Sequence, residues 1–232
     1  MSSNGDGGLK RFLFKLNTSI GNVEQTKMTP EFNQSVERYE SYRNCLEPLV
    51  DTLEGAIQHN PAVLQKEKIE TELGESPHEL LAASLEIFKT YQTDDRQAPM
   101  NSLIFQRNKL GSLQRKGQFN GRRAIRALRR FFAMDYQKLR EEKAALAKIR
   151  THMDMIKHEV KTSKNTEQVE KSALLYEEAV ENFDQQAKKV IELLDLLPTI
   201  QKSHVEGISE YFTEWQKSNV EHAKIFHIPP YK

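Results

Sequence analysis

The stretch GRRAIRALRRFF, residues 121–132, places five arginines within nine positions, from Arg122 to Arg130. Between Arg96 and Met134 there are ten lysines and arginines and no aspartate or glutamate, yet the whole chain carries a net charge of only +1. Guanidinium groups stay charged at any physiological pH and engage carboxylate or phosphate oxygens in pairs. At about 100° per residue, Arg115, Arg122, Arg126 and Arg129 fall within about 60° of one another on a helix. Lys116, Arg123 and Arg130 extend this stripe, and the apolar positions Ile125, Leu128 and Phe132 lie roughly 120° away from it. A solvated helix face ordinarily mixes both signs of charge. Two readings follow: docking on a phosphate-rich partner, membrane or nucleic acid, or neutralisation by acidic residues of a neighbouring helix such as Glu177, Glu178 and Glu181. Nucleic acid fits less well than a membrane, because stacking aromatics do not interleave with the arginines.

No constellation for catalysis or metal binding accompanies the stripe. The chain has one Glu-x-x-His spacing, Glu75 to His78, with Pro77 inside it, whereas a di-iron bundle needs that pair on two helices. His152 and His158 are six residues apart and share no helix face. There is no phosphate-binding loop and no G-x-S-x-G. Cys45 is the only cysteine, so no intrachain disulfide can form and a reducing compartment is favoured. It precedes an apolar seam position, which predicts partial burial. The scattered carboxylates are explained by solvated helix faces and pairs four residues apart. Neither an enzyme nor a resident cofactor or metal is expected.

A second feature lies at the start. Leu9, Phe12, Leu13, Leu16, Ile20 and Val23 share one face of a predicted helix over residues 9–23, with Lys10, Arg11 and Lys15 on the polar side. Such a helix suits the lipid headgroup boundary, its lysines and arginine on phosphates and Phe12, Leu13 and Leu16 wedged below. It suits equally a cap on a helical bundle. The preceding MSSNGDGG (1–8) has the composition of a disordered tail.

The elements that must position these residues are long helices. Hydrophobic residues are 38% and charged residues 29% of the chain, a balance that fits narrow apolar seams better than one broad core. Thr29 and Pro30 read as N-cap and first-turn proline. From there Phe32, Val36, Tyr39, Arg43, Leu46, Val50, Leu53 and Ile57 alternate in steps of four and three, the spacing of a coiled coil. HNPA (59–62) ends or kinks that helix. Residues 63–93 look helical again, with an interruption at GESPHE (74–79). QTDDRQAPMNS (92–102) reads as a loop or helix break, and GQFNG (117–121) weakens the start of the next helix. From Arg122 the pattern strengthens through Leu139, Leu146, Ile149, Met153, Ile156 and Val160. TSKNT (162–166) makes a turn. The last helix carries Val169, Ala173, Tyr176, Val180, Phe183, Ala187, Val190, Leu194 and Leu197, then a kink at Pro198. The sum is an all-α fold of three long helices in one elongated domain, and a helix of some sixty residues would run about 90 Å. Such a chain leaves apolar surface uncovered on its own, which implies self-association or a partner.

In this order the segments resemble the BAR domain family, specifically the endophilin-like N-BAR type. GLKRFLFKL…GNVEQTKMTPEF is similar to that type's start, with an amphipathic helix and a Thr-Lys step into the first long helix. LEGAIQHNPAV is similar to its first helix break. DYQKLREEKAALAKIRTHMDMIKHEVK resembles the distal half of helix two, with Asp135, Arg150 and Asp154 in the motif positions, and FDQQAKKVIELLDLLPTIQKSHVEGISEYFTEWQ resembles helix three. The resemblance covers about residues 8–226. It departs at His152, where the family usually has a further aspartate, and over 63–105, which match poorly and leave the endophilin appendage in doubt. No Src-homology-3 domain is expected from these residues, so the resemblance does not imply recruitment of proline-rich partners.

The resemblance implies a crescent-shaped antiparallel homodimer with a six-helix core. Residues 24–228 would form the BAR domain, followed by a short tail, 229–232. The arginine stripe (Arg115, Lys116, Arg122, Arg123, Arg126, Arg129, Arg130) would lie along the inside of the arc, and Lys157, Lys161 and Lys164 would be lipid contacts at the tip. The expected activity is sensing or generating curvature on anionic phospholipid membranes, in trafficking or endocytosis, by a cytoplasmic peripheral protein. The rival is a BAR-like dimeric scaffold for a small GTPase or adaptor protein. The Arg150 and Asp154 pair reads as structural.

Overall fold

The computed structural model describes residues 25–66, 68–163 and 165–226, with residue 166 described by its backbone alone. The described residues form helices α1 (Pro30–Ile57), α2 (Pro61–Leu64), α3 (Pro77–Lys89), α4 (Asp94–Ala124), α5 (Arg126–Arg130), α6 (Gln137–Thr162), α7 (Thr166–Asp195) and α8 (Leu197–Ile225), with a π-helical turn over Phe131–Tyr136. No strand occurs among them. The predicted helix over 9–23 lies outside the described residues. They pack as two compact units, 25–43 with 132–199, and 44–131 with 200–226.

In the first unit, Met153, Ile156 and Ala179 are buried, with Val160, Tyr176, Val180 and Phe183 packed around them. Asp154, almost wholly buried, accepts from the backbone N–H of Thr26 at 3.2 Å and from its hydroxyl at 2.5 Å. The Thr-Lys step and the aspartate of the helix-two motif, noted separately in the sequence, are therefore bonded partners. The structural role expected of Asp154 is served by Thr26 and not by Arg150, whose Nε is buried without a hydrogen-bond partner. Glu40 accepts from the Tyr136 hydroxyl at 2.8 Å and from Lys143 Nζ at 2.7 Å. Tyr39 is buried beside these groups, and burial, helped by the charges of Asp135 and Glu40, holds its phenol up to about 12.

The second unit buries Leu46, Val50, Leu53, Ile69, Ile104, Leu110, Ile125, Leu128, Phe131 and Tyr211. The His204 ring stands edge-on to Phe131 at 5.6 Å. Segment 58–76 folds back by a buried amide network: Gln58 Nε2 donates to the Ile69 carbonyl at 2.8 Å, and the Thr71 N–H donates to Gln118 Oε1 at 2.8 Å. Burying these groups is tolerable because each finds a partner.

Three expectations about elements change. The break expected over 92–102 is confined to the residues before Asp94, since Asp94 and Asp95 occupy the first turn of α4, where carboxylates favour the helix dipole. GQFNG is helix interior, with its glycines close against neighbouring side chains: a Cβ at Gly121 would sit 2.9 Å from Ile57 Cδ1, and one at Gly117 would sit 2.8 Å from Ser218 Oγ. Thirdly, the even seam from Ile125 to Tyr136 is interrupted. Ile125 leaves helical geometry at φ −89°, ψ 11°, and in the following turn Phe131 is fully buried while Phe132 is half-buried. The π-helical turn takes up the extra residue. Pro198 acts as expected: α7 ends at Asp195 and α8 begins at Leu197, because the proline lacks an N–H and crowds the Leu194 carbonyl.

Candidate lipid-binding surface

The arginines divide by partner. On α4, Arg115 donates to Glu79 Oε2 of α3 at 2.6 Å, with both side chains largely covered. This hydrogen bond, outweighing burial, holds the Glu79 carboxyl below the usual glutamate range, and it raises Arg115 in turn. Arg129 grips Glu54 of α1 through Nε and NH2. Glu54 is 7% exposed and Arg129 43% exposed, so the carboxylate is the desolvated member. Arg123 approaches Glu210 of α8 at 3.5 Å, with both groups open to solvent. Lys116 is exposed beside a shallow hollow that also holds Asn120, Glu214, Lys217 and Glu221.

The remaining three differ. Arg122, Arg126 and Arg130 are all exposed, and among the described residues no carboxylate lies within ion-pair distance of them. Arg126 and Arg130 stand four residues apart on α5, about 6 Å along its axis, and Arg122 lies in the last turn of α4, before the non-helical Ile125. Arg115 and Arg129 are thus spent on the fold, Arg123 makes only an open pair in solvent, and Arg122, Arg126 and Arg130 have no carboxylate partner among the described residues. Within this unit the neutralising carboxylates are Glu54, Glu79 and Glu210.

The other predicted contacts are placed as follows. Lys157 is half-buried near the end of α6, and Lys161 is exposed in its last turn. Lys164 lies outside the described residues, as do Lys10, Arg11, Phe12, Leu13, Lys15 and Leu16. Cys45 is a free, exposed thiol instead of a partly buried one, because it points away from its seam neighbour Leu46. His78 lines an open cavity of about 270 Å³ with His59, Trp215 and His222. Burial, then the charges of Arg107 and His222, hold its imidazole below the ordinary range. Among the described residues no group of three His, Cys, Asp or Glu side chains is placed to hold a metal ion. None of the described helices is long and apolar enough to cross a membrane.

Paired long helices, with no strand among the described residues, define an all-helical domain. Comparison with known families gives a match to the BAR domain over residues 9–224, and the chain belongs to that family. No curated protein matches the chain. Membership brings membrane binding or curvature sensing as the general function, dimerisation as the general assembly, and scaffolding instead of catalysis.

Proposed function

We propose that this protein docks on anionic phospholipid membranes through Arg122, Arg126 and Arg130, with Arg123 and Lys116 as flanking contacts, and senses or generates curvature there. The observation that carries the reading is the row of three guanidiniums without carboxylate partners. Each basic group near an anionic leaflet contributes on the order of 1 kcal/mol, so one chain gains about 3 kcal/mol from the row, and a homodimer doubles it. Lys157, Lys161 and Lys164 act as distal contacts. Residues 9–23 insert as an amphipathic helix, burying Phe12, Leu13 and Leu16 at roughly 25 cal/mol per Å². The endophilin-like N-BAR subtype, with a role in trafficking or endocytosis, is the form of the family that this arrangement fits best.

The homodimer is supported by α8. Val205, Phe212 and Trp215 on it, with Phe226 just past its end, are exposed large apolar side chains that fall within about 80° of one another in the helical frame. A monomer would leave that stripe in water.

Vesicle co-sedimentation tests the lipid reading. The triple substitution Arg122→Glu, Arg126→Glu, Arg130→Glu is expected to abolish binding to vesicles rich in anionic lipid while helicity is retained. Unchanged binding, or equal binding to neutral vesicles, refutes the electrostatic account. Phe12→Asp is expected to reduce vesicle tubulation more than binding.

A further inference from the structure

In the first unit a groove lies between α6 and α7, with a cavity of about 220 Å³ walled by Ile149, Ile156, Leu175 and Ala179. Leu175 is 47% exposed at its lip, and its neighbour Leu174 is 70% exposed. Glu178 forms part of the wall, and Glu181 lies about 60° further round α7. Both glutamates are exposed, and neither has a cation within ion-pair distance among the described residues. On α6 the exposed groups one turn to either side, Lys148 and Glu159, offset each other. The result is an apolar hollow with an acidic edge on α7. An anionic leaflet would meet that edge with like charge.

One segment of this chain has the complementary pattern and is tethered at the same level. On a helix over residues 9–20, Leu9, Phe12, Leu13, Leu16 and Ile20 share one face, with Arg11 and Lys15 beside it. The described chain begins at residue 25, and Thr26 is bonded to Asp154, which lies along α6 between Ile149 and Ile156. In the helical frame Asp154 points about 170° away from the hollow, so the segment must pass half-way round α6 to reach it. That path is about 16 Å for a helix about 10 Å across, and residues 21–25, extended, span about 17 Å. The tether is just long enough. An apolar site of about 150 Å³ accepts benzene, so the hollow has room for the Phe12 ring, with Arg11 and Lys15 on Glu178 and Glu181. A short tether sets an effective concentration on the order of millimolar, so a weak contact suffices.

We propose that residues 9–20 dock on the α6–α7 groove of their own chain when no membrane is present, which withholds Phe12, Leu13 and Leu16 until an anionic surface competes for them. The inference rests on the reading of residues 9–23 as a lipid-inserting amphipathic helix. Hydrogen exchange read by mass spectrometry on the full-length chain tests it, in buffer and on anionic vesicles. In buffer, the amides of residues 9–20 should exchange about tenfold more slowly in wild type than in Leu175→Asp. Glu178→Lys with Glu181→Lys should release them too, and adding Arg11→Glu and Lys15→Glu to that variant should restore protection. Leu175→Asp should also bind anionic vesicles more tightly, by up to about tenfold, because docking no longer removes competent chains. It gains a negative charge, so electrostatics cannot explain a tighter complex. The substituted positions on α7 are exposed, and circular dichroism should be unchanged. Fast exchange of wild type in buffer, protection that ignores the α7 variants, or vesicle binding not tightened by Leu175→Asp overturns the proposal. If vesicles alone then protect residues 9–20, lipid insertion stands without the docked state; if vesicles protect nothing, both readings fail.

Discussion

Neighbouring arginines in one run do opposite jobs, and the difference is set by what each meets. Arg129 closes on a carboxylate with almost no access to water, so removing it strands a buried charge, an outcome that costs about 3 kcal/mol in comparable pairs and less here because Arg129 is itself half open. Arg129→Ala is therefore expected to lower the thermal midpoint clearly, and Arg126→Ala to leave it unchanged, by calorimetry on matched samples. Glu79 gives a pH signature. Its folded value lies below its unfolded one, so the stability it contributes is present above the unfolded value and is lost as pH falls through the folded one. In wild type, the urea midpoint should drop on acidification below the ordinary glutamate range, and Glu79→Gln should flatten that part of the profile. A profile identical in the variant would mean that the Arg115 bond is not formed in solution.

Helix interiors carry glycines for different reasons, and alanine substitution separates them. At Gly55 nothing lies within 4 Å of an added Cβ, so Gly55→Ala should stabilise by about 0.5–1 kcal/mol through backbone entropy alone. At Gly121 the neighbour is the end of the Ile57 side chain, 2.9 Å away, which can shift, and the propensity gain offsets part of the clash. At Gly207 the Cβ would lie 2.8 Å from the Ala124 carbonyl oxygen, a backbone atom in the adjoining helix that cannot turn aside. Gly207→Ala should destabilise most, by about 1–3 kcal/mol. Urea denaturation of the three variants checks the order, and a stable Gly207→Ala would argue against that close approach of α8 to α4. The same packing explains why GQFNG did not weaken α4, as composition suggested. Propensity costs about 1 kcal/mol per glycine, and packing of α4 against its neighbours outweighs it.

For the whole molecule the decisive properties are association and salt response. Phe212→Asp with Trp215→Asp should halve the sedimenting mass at micromolar concentration while preserving helicity, since the stripe is outward in the single chain. An unaltered mass would remove the α8 stripe from the interface. Vesicle binding should weaken steeply as ionic strength rises, because the Debye length shrinks from about 10 Å at 0.1 M to about 3 Å at 1 M. Binding that is flat in salt would point to apolar insertion as the main driving force.

Hydrophobic spacing alone determined the helical class, the seams of the first and last helices and the break at Pro198, because these depend on local periodicity and on a missing N–H. It also located the arginine run and, through the order of weak motifs, the BAR family. Only the tertiary structure decided which arginines are free. Glu54, Glu79 and Glu210 come from three different segments, and no spacing along the chain signals which carboxylate arrives beside which guanidinium. The π-helical turn at Phe131 was hidden for a related reason: one extra residue is absorbed by side-chain packing that the regular pattern does not encode. The exposure of Leu80, Ile87 and Phe88 on α3 was equally illegible, since an apolar stripe looks the same in sequence whether it points into a core or out of it.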